Sequence, residues 1–397
     1  MNIVDRFKKI IAFDTVSDEN SSTYPSTKTQ LEFGKMLIED LHEIGVTNAY
    51  QDEHGVIYGF IDANKEKTIG LIAHMDTAPT IAGGIKNPRI IEKYNGEAIK
   101  LNEKYTMSPS DFPVLKTVVG EELMVTDGEH LLGGDDKAGI AIIFEFAKYF
   151  NDHKDEFNYN LAISFTCDEE IGRGASKFDV KKMKADIAYT LDGESIYEGN
   201  FENFNAASAR VIISGVGVHP GMAKNIMVNA CLVGIDFNNE LPKDMIPSKT
   251  EGYEGFIHLD EFKGDVEHVE MSYILRDHDK EKLENKKELL VKAKAAALKK
   301  YPKAHIELMI KDDYRNMRDY FIKDMKAIEL INKAYIESHN RIEYLPIRGG
   351  TDGATITYMG LPCPNLGVGD FNPHGRFEFV SLTQMKKMVE ILKYLLK

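Results

Sequence analysis

Tryptophan is absent from this 397-residue chain, and cysteine occurs three times, at Cys167, Cys231 and Cys363. Three scattered thiols, none in a Cys-x-x-Cys pair, cannot build a disulfide framework, and a reducing, cytoplasmic setting fits them. Long apolar runs are also missing. None approaches the roughly 20 residues needed to cross a bilayer. The amino-terminal stretch Met1 to Phe7 mixes charged with apolar residues, unlike the apolar core of a secretory signal. Basic residues are outnumbered, 49 Lys and Arg against 63 Asp and Glu, for a net charge of −14. Such a balance argues against nucleic acid and anionic membrane surfaces as partners. Several familiar catalytic signatures are absent: His-Glu-x-x-His, Gly-x-Ser-x-Gly and the P-loop. Gly215-Val216-Gly217 does not extend to a dinucleotide-binding Gly-x-Gly-x-x-Gly.

What is present reads as an ordinary globular chain, 43% hydrophobic and 28% charged, long enough for two domains. Val4, Phe7, Ile10 and Ile11 recur at helical spacing, and Leu31 to Leu41 mark a second helix closed by Gly45. Strand-like runs at Val56–Ile61, Ile69–Ala73, Leu161–Cys167 and Ala188–Leu191 alternate with a helix over Ala138–Phe150. The segment from Pro79 to Val118 reads as an excursion with a hairpin. This alternation predicts an α/β domain with a mixed, largely parallel sheet. From Asn203 the order changes. A strand (Ala206–Ser214), a helix (Asn225–Phe237), a hairpin (Phe256–Phe262 and Val266–Leu275), a helix (Glu281–Lys300) and a strand (His305–Lys311) follow. The order βαββαβ is ferredoxin-like. It predicts an insertion over residues 204–314 within a discontinuous domain of residues 1–203 and 315–397.

Acidic and histidine residues stand directly after the predicted strands, where open α/β sheets place their sites. His74-Met75-Asp76 follows Ile69–Ala73, and Asp168-Glu169-Glu170 follows Leu161–Cys167. Asp192 follows Ala188–Leu191. Asp135-Asp136 sits in the glycine-rich turn Gly133 to Gly139, and His374 follows the apolar run Pro364–Val368. Each has a mundane reading alone: a surface histidine, a helix-capping aspartate, a solvated acidic loop. Together they form a constellation that a single sheet edge can gather. Asp135, Glu170 and Asp192 carry −3 against +4 for two divalent cations, leaving +1 for one further anion. Nitrogen and oxygen donors without thiolate suit Zn²⁺, with Co²⁺ or Mn²⁺ as substitutes.

With these motifs the chain resembles the M20 co-catalytic metallopeptidases, and within them the tripeptide aminopeptidases. Gly217-Val218-His219-Pro220-Gly221, Glu251 to Phe256 and Ile347-Arg348-Gly349-Gly350-Thr351-Asp352-Gly353-Ala354 extend the likeness. The resemblance implies a zinc-peptidase-like catalytic domain with an inserted lid and dimerisation domain, hence a possible homodimer, and small peptides as substrates. It implies that His74 and Asp192 ligate one metal, Glu170 and His374 the other, and that Asp135 bridges both across a cis Asp135–Asp136 peptide. Asp76 would orient His74, and Glu169 would be the general base. His219 would bind the scissile carbonyl, while Arg348, with Arg276 as a second candidate, would hold the peptide's carboxylate. The same metal residues would serve another M20 hydrolase, such as a dipeptidase, aminoacylase or carboxypeptidase. A non-catalytic metal- or peptide-binding protein is the reading from another class.

Overall fold

Strand Thr68–His74 is buried at every position, as is Asn160–Thr166. Sequences without a polar alternation can sit only in the middle of a sheet covered on both faces. The computed structural model, which describes residues 1–397, places them there. Thr68–His74 pairs in parallel with Asn160–Thr166 on one side and Ile187–Leu191 on the other. The eight-stranded sheet runs Tyr50–Gln51, Ile57–Ile61, Asn160–Thr166, Thr68–His74, Ile187–Leu191, Asn365–Leu366, Glu198–Asn200, Glu343–Tyr344. Four of its seven pairings are parallel and three antiparallel. The sheet is therefore mixed, with a parallel centre.

Helix Gly134–Asp152 packs on that centre and against the helices Ile3–Ile11 and Leu382–Leu395. Its Phe144 stacks on Phe165 of the central sheet at 5.7 Å between ring centres. A close approach is needed at its first turn: a Cβ on Gly139 would lie 2.1 Å from the Leu191 carbonyl oxygen and 2.4 Å from Asp136 Oδ1. Gly139 thus lets the helix start against the end of strand Ile187–Leu191. The excursion after Pro79 contributes Arg89–Ile91 and the hairpin strands Ile99–Lys100 and Thr106–Met107. Arg89–Ile91 joins a small antiparallel sheet with Leu123–Val125, Phe379–Ser381 and Asp370–Phe371.

The chain divides into two compact units. The first comprises 1–201, 319–345 and 351–397, and the second 202–318 with 346–350. The short segment 346–350, which the sequence reading left in the first domain, belongs to the second unit. In that unit the sheet order is Phe256–Gly264, His268–Asp277, Asn205–Ser214, His305–Tyr314, antiparallel throughout. This is the ferredoxin-like arrangement, with helices Ala230–Asn239 and Lys280–Lys300 packed on the sheet. The first of these helices starts five residues later than its apolar pattern predicts. Asn229 caps it, its Oδ1 accepting from the backbone N–H groups of Cys231 and Leu232, and Asn225 takes a left-handed φ of 65°. Apolar spacing cannot register such a cap.

In the first unit a buried ion pair ties two helices together. Arg6 on helix Ile3–Ile11 donates to Asp40 on helix Lys28–Glu43 at 2.9 Å, with side chains 5% and 4% exposed, and Lys9 adds a second donor. The Arg6 guanidinium also lies 4.3 Å from the Phe144 ring centre. Removing one partner strands a buried charge, so Asp40→Ala is expected to destabilise this unit by about 3–5 kcal/mol. The double variant Arg6→Met/Asp40→Leu should recover most of that loss. Urea unfolding of the three proteins checks both statements, and a single variant as stable as the double would count against the pair.

Candidate metal centre

The site is built from five chain segments, three of which leave the ends of the central strands Thr68–His74, Asn160–Thr166 and Ile187–Leu191. His74 is the last residue of its strand, buried with 2% of its side chain exposed. Its backbone N–H donates to Asp136 Oδ2 at 3.1 Å, and Asp136 Oδ1 accepts from Gly139 N. Asp136 therefore anchors the backbone around the site, in the structural role that its position at a helix start suggests. Asp135 precedes it, and the peptide between them is cis.

Asp135 is the centre of the cluster. Its Oδ1 lies 2.8 Å from His74 Nε2 and its Oδ2 lies 3.1 Å from His374 Nε2. His374 Nε2 is also 2.9 Å from Glu170 Oε2. One carboxylate thus stands between two imidazoles, one oxygen facing each. Ligand atoms of His74, Asp135 and Glu170 all lie within 4.8 Å of one another, as do those of His74, Asp136 and Asp192. Asp192 follows its strand directly, and its backbone N–H donates to the Leu366 carbonyl at 3.1 Å. Glu170 Oε1 is buried without any hydrogen-bond partner. An orphaned carboxylate oxygen beside two more acids and two imidazole nitrogens is the donor set of a divalent cation site, and these residues fit metal ions.

Charge within the cluster is frustrated as the chain stands alone. Burial opposes ionisation of Asp135, but hydrogen bonds to His374 and His74 hold its carboxyl well below the usual range. Hydrogen bonds to Asp135 and Glu170 push His374 up to about 11. Burial works against a charged His74, and the Asp135 and Asp76 carboxylates outweigh it and raise its pKa. Burial, followed by the charge of Asp135, pushes Asp192 up to about 7 and shifts Glu170 upward. Burial and then Asp192 raise Glu169 well above the carboxylate range. Bound cations would favour the deprotonated form of every one of these groups, so loading the site releases protons from the imidazoles and from the raised carboxyls.

Asp76 lies against His74 and has a second job besides. His74 Nδ1 lies 3.0 Å from the backbone oxygen of Asp76 and 3.4 Å from its carboxylate. The carboxylate is instead taken up by backbone N–H groups, of Glu169 at 3.0 Å and Glu170 at 3.1 Å. Asp76 orients His74 chiefly through its main chain, and it clamps the turn carrying Glu169 and Glu170. That turn is held from below by Asp168, which accepts from Ser26 N, Ser26 Oγ and Gln30 Nε2.

Sequence reasoning missed the acid that shapes the Asp135 loop. Glu378, 1% exposed, accepts from the backbone N–H groups of Gly133, Gly134 and Asp135 at 2.9, 2.6 and 3.2 Å. Its only sequence signal is its place four residues after His374.

The other three candidates belong to the second unit. His219 is exposed, and its Nδ1 accepts from Gly221 N at 3.1 Å, which leaves the proton on Nε2. Arg276 Nη1 donates to the carbonyls of Leu275 and Ala207 at 2.9 and 3.3 Å, with its guanidinium 5.1 Å from the Tyr314 ring centre. Arg348 holds a loop of its own unit. Its Nη1 donates to the carbonyls of Gly252 and Glu254 at 2.7 and 2.8 Å, and its Nη2 to Thr250 O and Oγ1 at 3.3 and 3.0 Å. The guanidinium also sits 5.1 Å from the Phe204 ring centre. Both Nη groups thus donate to the chain's own 250–254 loop.

Known proteins match this arrangement. The sequence profile of peptidase family M20/M25/M40 covers residues 125–397. A peptidase T from Caldanaerobacter subterraneus subsp. tengcongensis is 46% identical over 395 residues, spanning 98% of this chain and 97% of the relative. A peptidase T from Clostridium perfringens is 46% identical over 396 residues, spanning 99% and 98%. Among solved structures, an aminopeptidase PepT from Bacillus cereus superposes with a TM-score of 0.77 at 21% identity, covering 100% of this chain and 97% of that one. The chain belongs to peptidase family M20/M25/M40.

The Glu378 cradle gives a direct expectation. Glu378→Ala should free three backbone N–H groups and weaken metal binding by about 10- to 100-fold, the usual scale for groups that support ligands. Glu378→Gln, which keeps an acceptor oxygen, should lose less. Metal titration with a competing chelator measures both, and equal affinity in wild type and Glu378→Ala would show that the cradle is dispensable.

Proposed function

We propose that this protein is a tripeptide aminopeptidase that releases the first residue of a free tripeptide, working with two divalent cations, Zn²⁺ best suited. The observation that carries the proposal is Asp135 standing between His74 and His374 with Glu170 beside the latter. In this reading His74 and Asp192 hold one ion, Glu170 and His374 the other, and Asp135 is shared. Bound there, divalent ions polarise a carbonyl and make water acidic near neutral pH. Likeness to peptidase T over nearly the whole chain supports the choice of substrate. Three unpaired cysteines support a cytoplasmic location.

The chain's own residues divide the remaining work. Glu169 takes a proton from the attacking water and returns it to the departing amine. Asp76 holds the backbone of Glu169 and Glu170, so base and ligand keep a fixed separation. His219, its proton on Nε2, donates to the carbonyl oxygen as negative charge develops there. Of the two arginines, Arg276 is the better candidate for the peptide's carboxylate, because the donors of Arg348 already hold the 250–254 loop.

Hydrolysis of di-, tri- and tetra-alanine by zinc-loaded protein, with products identified, tests the reading. Tri-alanine should be cleaved fastest, yielding alanine and di-alanine, and a chelator should abolish turnover. Preferential dipeptide cleavage or release of the last residue would instead point to another M20 activity. Glu169→Gln should retain its metal and lose at least roughly 10²–10⁴ in kcat. Near-normal kcat in that variant, with metal content verified, would remove Glu169 from the mechanism.

A further inference from the structure

One buried acid beside the metal centre has no work in the mechanism above. Asp370 is 3% exposed, and its Oδ1 has no hydrogen-bond partner. The contrast with Glu378 is instructive. Both acids lie at the strand pair Asp370–Phe371 and Phe379–Ser381, and Glu378 is satisfied by three backbone N–H groups. Asp370 receives nothing comparable from its own chain. Burying a carboxylate oxygen without a donor is unfavourable, so a retained one suits a donor that arrives from outside.

The carboxylate itself is seated closely, and a cavity adjoins it. A Cβ on Gly134 would fall 2.1 Å from Asp370 Oδ1, so only glycine there accommodates the carboxylate. Asp370 also lines a cavity of about 50 Å³, together with Asp135, Asp192, Glu194 and Pro373. By this measure about 10–15 Å³ admits one water molecule, so the cavity takes a small polar group. It has room for an ammonium head.

Geometry of the substrate completes the argument, which rests on the aminopeptidase reading. In a peptide the α-amino nitrogen is two bonds from the first carbonyl carbon. Whatever receives the amine must therefore adjoin the residues that handle that carbonyl. The cavity meets this condition, because Asp135 and Asp192 form part of its wall. We propose that Asp370, with Glu194 lining the same cavity, receives the α-ammonium of the peptide's first residue. An ammonium brings three donors and a positive charge to two carboxylates. The site would thereby select peptides with a free amino end and reject blocked ones. The backbone of Asp370 is pinned by pairing with Val380, so the receiving carboxylate sits on a strand rather than a loose loop.

The test compares Ala-Ala-Ala with propionyl-Ala-Ala, the same molecule lacking only its amino group. Zinc-loaded wild type, Asp370→Asn and Glu194→Gln are matched for metal content and thermal unfolding. KM for Ala-Ala-Ala and Ki for propionyl-Ala-Ala as a competitor are then measured. Asp370→Asn should raise KM by about 10- to 100-fold, the scale of a charge-assisted hydrogen bond, and Glu194→Gln should raise it less. The Ki for the amine-free analogue should move less than about threefold in either variant, within the scatter of a lost neutral contact. Equal shifts for both ligands, or no shift for either, would overturn the assignment. So would a third metal ion in wild type that Asp370→Asn loses, because the cavity would then be a cation site. If wild type fails to cleave Ala-Ala-Ala at its first bond, the aminopeptidase reading falls by itself. Calorimetric binding of the same two ligands still decides whether Asp370 recognises the amine.

Discussion

Carboxylates packed at one sheet edge repel one another, and the site depends on how that repulsion is contained. Asp135, Glu169, Glu170, Asp192 and Asp370 converge on a region where burial already disfavours charge. The fold answers in two ways. Acids that shape the site are held in place by backbone N–H groups: Asp76 by Glu169 and Glu170, Asp136 by His74 and Gly139, Glu378 by the Gly133 loop. Asp135 and Glu170 are instead paired with the imidazoles of His74 and His374. Main-chain dipoles can be paired within the folded chain, whereas mobile ions need an open position. The distribution of backbone donors thus separates supporting acids from working ones.

That separation explains what the sequence disclosed. His74, Asp135, Glu169, Glu170 and Asp192 were legible because each follows an apolar strand or a glycine-rich turn, and strand ends converge in an open sheet. His374 follows an apolar run and was found in the same way. Glu378 and Asp370 were not legible as site residues. Each acts on a segment more than 200 positions away, Glu378 on the Gly133 N–H and Asp370 at Gly134, and a single chain carries no mark of such a pairing. The helix start at Asn229 and the loop contacts of Arg348 were hidden for the same reason. Both are decided by hydrogen bonds to particular main-chain groups rather than by periodicity or residue type.

The glycine-rich turn shows how residue pattern becomes packing. Gly133 to Gly139 reads as permission for a tight bend, but two of its glycines serve neighbours. Gly134 makes room for the carboxylate of Asp370, and Gly139 lets a helix meet the last carbonyl of strand Ile187–Leu191. Asp135 and Asp136 lie between them, so the ligand loop is fixed by close contact on both flanks. A larger residue at either glycine would shift Asp135 itself.

The segment 346–350 carries a lesson for engineering. It leaves the first unit, joins the second, and returns at Thr351, the residue that caps helix Asp352–Tyr358. Within the second unit it is riveted by Arg348 to the 250–254 loop and by Ile347 to Asn203. The insertion is therefore not a cassette held by one pair of seams. Transplanting residues 202–318 between relatives would part Arg348 from the carbonyls it was selected to hold. A chimera that keeps this contact within one parent exchanges both stretches of chain together.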